Sequence, residues 1–413
     1  MNVVHLTNSI SHSSAPLRIV KALEGVGVES KIIVFNSDDE YSQVIKYKRN
    51  IFEKIETHFI SKINSKVMSA YNGEGLPFSI GSPGIDASKI ELVKKADIIH
   101  LHWVNAEFLS FKSIDMIMKL GKPVVWTFHD SWPMTGGCHV RYGCDRFMTG
   151  CGRCHELNSE DENDITSHVI KEKQKYYHAE DIITVSPSKW MYGNVCKSLL
   201  FGKSRNYQIG NPLDTDLFFG KEIFTEFDKK EKINILFGSS GTISSKYKGY
   251  KYFVEAMKVL QDKNPSLSNK IVINIFGTTE KKFPNLIGYE TKSLGYINSD
   301  EKMAEAYRNA DIYVFPSLDD NLPGTVMECL SCETPVVCFD TCGVPEMVKH
   351  KENGYVANYK DSEDLEAGIK WVYENNNGNS IGKKGRMYIN DNYSNKIVSQ
   401  QYVELYKEIM LSI

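Results

Sequence analysis

The stretch PSLDDNLPGTVMECLSCETPVV, residues 316–337, sets two carboxylates, Asp320 and Glu328, on either side of a Pro-Gly corner with seven residues between them. A β-branched run, DIYVFP (311–316), ends just before the first, and the pattern predicts a helix opening near Pro323. Carboxylates accept hydrogen bonds from hydroxyls, and a helix opening offers unpaired N–H groups and a positive dipole end to an anion. A sugar nucleotide carries both partners, hydroxyls and phosphates. The rival reading makes Asp320 an ordinary helix cap and Glu328 a solvated helix residue.

A second constellation, GCHVRYGCDRFMTGCGRCHEL, holds Cys138, Cys144, Cys151 and Cys154. Four thiols ending in a C-x-x-C could enclose one tetrahedral Zn²⁺ as a structural staple. Free thiols or, on oxidation, disulfides are the alternatives, and His139 and His155 are spare ligands. His100 and His102, in DIIHLHWVN, alternate along a strand and so face one side. Either a buried satisfied pair or an acceptor-site role fits them.

The elements that must position these groups are short apolar runs. In the first half they are NVVHL (2–6), KIIVF (31–35), DIIHL (97–101), PVVWT (123–127) and DIITV (181–185). In the second they are INILFG (233–238), IVINIFG (271–277), DIYVFP (311–316) and PVVCF (335–339). Continuous apolar strands alternating with helical stretches imply parallel sheets covered on both faces. Ligands then bind beyond the carboxyl ends of the strands. The fold class expected is α/β, with two doubly wound Rossmann-like domains facing across a cleft. The boundaries expected are 1–212, with a Cys-rich loop at 136–156, and 213–413, with the last helix packing back toward the first domain. The polar stretch 214–232 is the expected linker.

The chain has 413 residues, too many for one ordinary core. Its 49 basic and 52 acidic residues give a net charge of −3, which argues against a nucleic-acid partner. The N-terminus lacks a signal-peptide pattern and no run approaches the ~20 apolar residues of a membrane span, so a cytoplasmic protein is expected. One segment could still touch a membrane peripherally at its inner face. Residues 41–70 place Phe52, Ile55, Phe59, Ile63 and Val67 at helical spacing, with six Lys or Arg against two Glu. Such a helix can lie on an anionic bilayer or pack its apolar face on its own domain.

FPSLDDNLPGTVMECLSCETPVVCFDTCGVPEMV resembles the acidic signature of the retaining GT-B glycosyltransferases of the family-four type, and the resemblance runs along nearly the whole chain. LPGTVMECLSC is most similar to enzymes of bacterial surface-polysaccharide assembly, of the colanic-acid, capsule and O-antigen kind. The sequence departs from the family at three signature positions: Asp320 for the first Glu, Glu333 for the Gly before Thr-Pro-Val-Val, and Cys342 for a turn Gly. Ser13 and Ser14 replace the glycines of the loop after the first strand.

The resemblance implies that Glu328 binds the ribose and that Asp320 approaches hydroxyls of the donor sugar. Backbone groups at Leu322, Gly324 and Thr325 would face sugar and phosphate. Lys248, of a Lys-Gly pair, would neutralise the diphosphate with help around Ser240, and Tyr296 and Ile297 would lie beside the base. His129 matches the family's histidine near the transferring sugar, where its pKa near neutrality allows either protonation state. The implied reaction is retaining transfer of a sugar from a UDP- or GDP-linked donor to a glycan or lipid-linked saccharide, with no cofactor required for the transfer; a structural zinc is the separate expectation for the Cys cluster. Two alternatives share the architecture: a sugar-nucleotide epimerase, and a noncatalytic sugar-nucleotide-binding subunit.

Overall fold

The computed structural model describes residues 1–413 except 38–39, 72–76, 240–244, 281–282, 284–285 and 413. The chain divides into two compact units, Met1–Asn211 with Val398–Ile413, and Pro212–Ile397.

In the first unit the strands are β1 (Asn2–Leu6), β2 (Ser9–Ile10), β3 (Glu29–Val34), β4 (Asn36–Ser37), β5 (Val44–Lys46), β6 (Ile98–Leu101), β7 (Val124–Thr127), β8 (Ile183–Ser186) and β9 (Asn206–Gln208). Seven form a parallel sheet in the order β5-β3-β1-β6-β7-β8-β9, and β2 pairs with β4 apart from it. The chain winds outward from β1 in one direction through β3 and β5, then returns to start the other half at β6. The reversal lies between β1 and β6, where an open α/β sheet has its natural crevice.

The segment Val398–Ile413 completes this unit. Its Val398, Tyr402, Leu405, Tyr406 and Ile409 are buried in one cluster with Val3, Ile19, Ile98 and Val125. Buried tyrosines need a partner for their hydroxyls. Tyr406 Oη lies 2.7 Å from His100 Nδ1, and Tyr402 Oη lies 3.4 Å from Thr127 Oγ1.

In the second unit, β10 (Ile233–Gly238), β11 (Ile271–Phe276), β12 (Glu290–Gly295), β13 (Ile312–Phe315), β14 (Val336–Phe339) and β15 (Gly354–Ala357) form a parallel sheet in the order β12-β11-β10-β13-β14-β15. Its reversal lies between β10 and β13. The stretch 214–232, expected as a linker, is part of this unit instead. Phe218 and Phe227 are buried, and Phe218 O accepts from both Ser331 Oγ and Arg386 Nη1. Its charged residues hid two aromatic anchors.

The expected runs correspond to β1, β3, β6, β7, β8, β10, β11, β13 and β14, all interior strands. Within the two large sheets, the four strands with no such run, β5, β9, β12 and β15, are the edges; the short pair β2 and β4 also had none. An edge strand is covered on fewer sides, so its sequence need not be continuously apolar. β12 reads ETKSLG and has no buried residue.

Replacing Tyr406 by Phe would leave His100 Nδ1 buried without its hydroxyl. The expected loss of stability is about 1–3 kcal/mol, measured by urea denaturation of the full chain.

Candidate functional site

In the second unit, the candidate residues gather at the carboxyl ends of β10 and β13. After β13, Pro316–Asn321 runs past the loop that carries Lys248. Leu318 N–H donates to Tyr247 O (2.7 Å), and Ser317 Oγ donates to the same oxygen (3.2 Å). Gly249 makes this approach possible: its φ is +73°, and a Cβ there would fall 1.9 Å from Pro316 O. The Lys-Gly pair thus has a steric cause as well as a chemical one.

Lys248 Nζ contacts Asp320 Oδ2 at 2.9 Å, with both side chains mostly shielded. Burial alone would lower the lysine's pKa, but Asp320, Tyr247 and Asp319 outweigh it, and the net shift is upward. Lys248 is therefore a fixed cation. The helix Gly324–Ser331 has Pro323 at its N-cap, and that residue makes no side-chain cap bond. Asp320 is thus an ion-pair partner rather than the helix cap. Val326 and Met327 N–H groups both bond back to Pro323 O, while those of Gly324 and Thr325 belong to the first turn, which has no acceptor within the helix.

Glu328 is not a solvated helix residue. It is 3% exposed, and its Oε2 accepts the hydroxyl proton of buried Tyr307 at 2.9 Å. Tyr307 comes from the helix Asp300–Asn309, whose buried face is Met303, Ala304 and Tyr307. Tyr313 Oη, also buried, donates to Gly238 O (2.8 Å) and lies 3.2 Å from Thr325 Oγ1. These two tyrosines tie the helix of Glu328 to its neighbours, and the sequence reading missed both. Their signal was only a core position within an apolar pattern.

Of the remaining candidates, Leu322 is buried, and Gly324 and Thr325 are half-buried. Tyr296 is 55% exposed just beyond β12, while Ile297 packs against this unit's core. Ser240 lies outside the described residues.

The three signature departures also have local explanations. Glu333 and Cys342 stand where the family has glycine, and both adopt left-handed backbone, φ 59° and 50°. Glu333 Oε2 accepts from Asn379 Nδ2 at 3.1 Å. Cys342 Sγ accepts the backbone N–H of Asp320, so this thiol helps hold the shortened carboxylate in place.

In the first unit, His129 follows β7 and belongs to a chain of imidazoles beside the β1/β6 reversal. His5 Nδ1 lies 2.9 Å from His102 Nε2, and His102 Nδ1 lies 3.0 Å from His129 Nε2. His100 stacks on His102 at 4.2 Å between ring centres, with Thr127 Oγ1 2.7 Å from its Nε2. Burial lowers the pKa of every ring, to about 3 for His5 and about 4 for His129, where Asp130 partly opposes it. All four are neutral near pH 7.

One neutral ring has one N–H, so the chain can run in only two directions. His5 Nε2 is buried with no protein partner. An unpaired lone pair is tolerated more readily than an unpaired N–H. That preference assigns the direction in which His5 Nδ1–H donates to His102 and His102 Nδ1–H donates to His129, which leaves the His129 proton on Nδ1.

Asp130, next in sequence, serves elsewhere. Its Oδ2 accepts from Trp103 Nε1 (2.9 Å) and lies 2.7 Å from His139 Nδ1, while its Oδ1 accepts the Trp132 N–H (2.9 Å). His139 Nε2 lies 3.0 Å from Ser79 Oγ, so both nitrogens of this ring are engaged and it is no spare metal ligand.

The four cysteines of the loop share one neighbourhood. Burial, then Cys151, Cys154 and Cys144, push the Cys138 thiol up to about 12. Cys151 Sγ accepts the Gly136 N–H, and Cys154 Sγ accepts those of Leu157 and Glu156. N–H groups aimed at sulfur suit thiolates. Yet among the described residues, the one group of three or more potential ligands whose ligand atoms all lie within 4.8 Å is His5, His100 and His102. The thiols as placed are more open than a closed tetrahedral set, whose sulfurs at ~2.3 Å from zinc stand roughly 3.8 Å apart.

Comparison with known proteins finds a family match over part of the chain. Residues 221–392 match the family described as glycosyl transferases group 1. The chain is 26% identical over 266 residues to the putative colanic acid biosynthesis glycosyl transferase WcaC of Escherichia coli K12, covering 61% of this chain and 62% of that protein. It is 26% identical over 205 residues to the Campylobacter jejuni N,N'-diacetylbacillosaminyl-diphospho-undecaprenol alpha-1,3-N-acetylgalactosaminyltransferase, covering 46% of this chain and 51% of that one. These matches span about half to two thirds of the relatives' length. Among solved structures, Anabaena HepE in complex with UDP-glucose superposes with a TM-score of 0.63 over 99% of this chain and 100% of that one, at 12% identity. The two parallel-sheet Rossmann-like units have the GT-B fold.

The tautomer assignment is open to nitrogen-15 NMR of the histidine rings at pH 7. The expected spectrum shows neutral His5, His102 and His129 with the proton on Nδ1. A charged ring, or a proton on Nε2 of His129, would contradict the derived direction of the chain.

Proposed function

We propose that this chain, whose residues 221–392 match glycosyl transferases group 1, transfers a sugar from a nucleotide-sugar donor to a glycan or lipid-linked saccharide during surface-polysaccharide assembly. The observation that carries the reading is the pair of carboxylates beside the β10/β13 reversal, each in a different electrostatic setting. Glu328 is buried and held by Tyr307, a rigid acceptor suited to the ribose hydroxyls. Asp320 is partly exposed and paired with Lys248, a setting suited to a ligand carrying both hydroxyls and negative charge. WcaC and the Campylobacter enzyme support the pathway by name, the second naming a diphospho-undecaprenol acceptor. HepE, as a fold neighbour bound to UDP-glucose, favours a UDP-linked donor over a GDP-linked one.

In this reading, Lys248 stabilises the charge that develops on the leaving diphosphate, and the first-turn N–H groups of Gly324 and Thr325 face the same oxygens. Asp320 orients the transferring sugar. Tyr296 and Ile297 flank the base. His129, neutral, hydrogen-bonds the sugar rather than acting as a cation. Configuration at the anomeric carbon is retained, with the diphosphate taking the acceptor's proton. An epimerase would turn over the donor with no acceptor present, and a binding subunit would bind it without transfer.

We propose further that Cys138, Cys144, Cys151 and Cys154 close around one Zn²⁺ that staples the loop and takes no part in transfer. The N–H···S contacts and the shared neighbourhood of the four cysteines support it, and closure requires the sulfurs to draw together.

A thermal-shift panel of UDP- and GDP-sugars should show stabilisation by one UDP-sugar, since a ligand that binds only the folded state raises its apparent stability. Glu328→Ala should abolish most of that shift. Lys248→Ala should lower kcat by a factor of about 10² to 10³, the magnitude of a lost charge-stabilising donor. Unchanged binding and turnover in both variants would reject the site. Elemental analysis of chelator-free protein should find about one zinc per chain; a metal-free protein with four titratable thiols would reject the staple.

A further inference from the structure

The helix Ile51–Met68 is built inside out. It is 18 residues long, begins with a capping box between Asn50 and Glu53, and has no buried residue. Its large apolar side chains are turned to solvent: Phe52 is 79% exposed, Phe59 66%, Ile51 63%, Ile55 62% and Ile63 47%. At 100° per residue these positions fall on one broad stripe. The opposite face meets the first unit through polar contacts. Tyr47 Oη donates to Glu53 (2.8 Å), Ser61 Oγ donates to Glu107, and Asn64 Nδ2 donates to Ser82 O. A helix solvated on its outer side would carry these two faces the other way round.

We infer that this helix lies on an anionic lipid surface with the stripe of Phe52, Ile55, Phe59 and Ile63 sunk into the boundary between headgroups and acyl chains. The charge pattern selects that occupant. Lys46, Lys48, Arg49, Lys54, Lys62 and Lys66 lie in, beside or before the stripe against Glu53 and Glu56, and Glu53 is drawn toward the cap and Tyr47. Lys62 and Lys66 are exposed within the stripe itself, on the same arc as Ile55 and Phe59. On a bilayer such lysines extend from the apolar level to the phosphates. In a contact between two copies of this face, the same lysines would be pressed against apolar side chains without a counter-charge. No described helix is long and apolar enough to cross a membrane, so the contact is one of lying on it. The inference stands on this helix alone; the proposed transfer to a lipid-linked saccharide would give it a use.

Sedimentation of the full chain with large unilamellar vesicles tests it without donor or acceptor, so the result is independent of the transfer reading. Vesicles of phosphatidylcholine with about 30% phosphatidylglycerol should bind the protein at least tenfold more tightly than phosphatidylcholine alone. The double substitution Phe52→Ser with Phe59→Ser should weaken that binding at least tenfold, as should Lys62→Glu with Lys66→Glu. Both pairs change exposed side chains, so circular dichroism and melting should match the unsubstituted chain. The substitution Ile287→Ser, at an equally exposed apolar residue of the second unit (79%), should change nothing. Equal recovery with and without anionic vesicles would overturn the inference. So would binding indifferent to both pairs, or a dimer in light scattering that the phenylalanine substitutions dissolve while vesicle binding is absent.

Discussion

Parallel pairing is the constraint on which the rest depends. A parallel sheet sends every strand's carboxyl end to the same edge, and covered faces leave that edge as the place where polar side chains can meet a ligand. Each unit reverses its winding once, at β1/β6 and at β10/β13. At the first reversal lie His5, His100, His102 and, one strand further, His129. At the second lie Gly238, Pro316–Asn321 and the helix of Glu328. The candidate groups are concentrated there because loops leaving adjacent strands in opposite directions open a space that neighbouring connections do not fill.

The two edges handle buried polarity differently. The first unit keeps its histidines neutral and lets them satisfy one another, with hydroxyls from Thr127 and Tyr406 closing the ends around His100. Neutral partners avoid the desolvation that a buried imidazolium would incur. The second unit keeps charges but shares them: Lys248 with Asp320, and Glu328 with a tyrosine hydroxyl. A hydrogen bond to a charged group is stronger than one between neutral groups, so Tyr307 fixes Glu328 more firmly than its position on a short helix would.

Legibility followed burial. The nine interior strands announced themselves through continuous apolar runs, whereas β5, β9, β12 and β15 carry edge sequences and did not. Asp320, Glu328 and Lys248 became candidates through their resemblance to a family signature, and Lys248 and Asp320 do meet. Tyr307 and Tyr313 could not, since a core tyrosine and a site-building tyrosine look alike until the partner is known. His5 was hidden inside an ordinary apolar run, and the imidazole chain depends on register between β1 and β6 that no single stretch encodes. The helix Ile51–Met68 was visible as amphipathic, but periodicity gives the existence of two faces and not which of them turns outward.

The Lys248–Asp320 pair bears on what the second unit can select. With its pKa raised, Lys248 stays charged across the physiological range, and Asp320 is its partner at 2.9 Å. A bare nucleoside diphosphate brought to Lys248 adds negative charge beside that carboxylate and offers it nothing. A nucleotide sugar brings the same phosphates together with hydroxyls that Asp320 can accept from, so the carboxylate exchanges one partner for another. Under the proposed reading, the discrimination between donor and released diphosphate thus arises in part from this single ion pair. The shorter Asp, held by Cys342 through its own N–H, keeps the carboxylate close to the lysine.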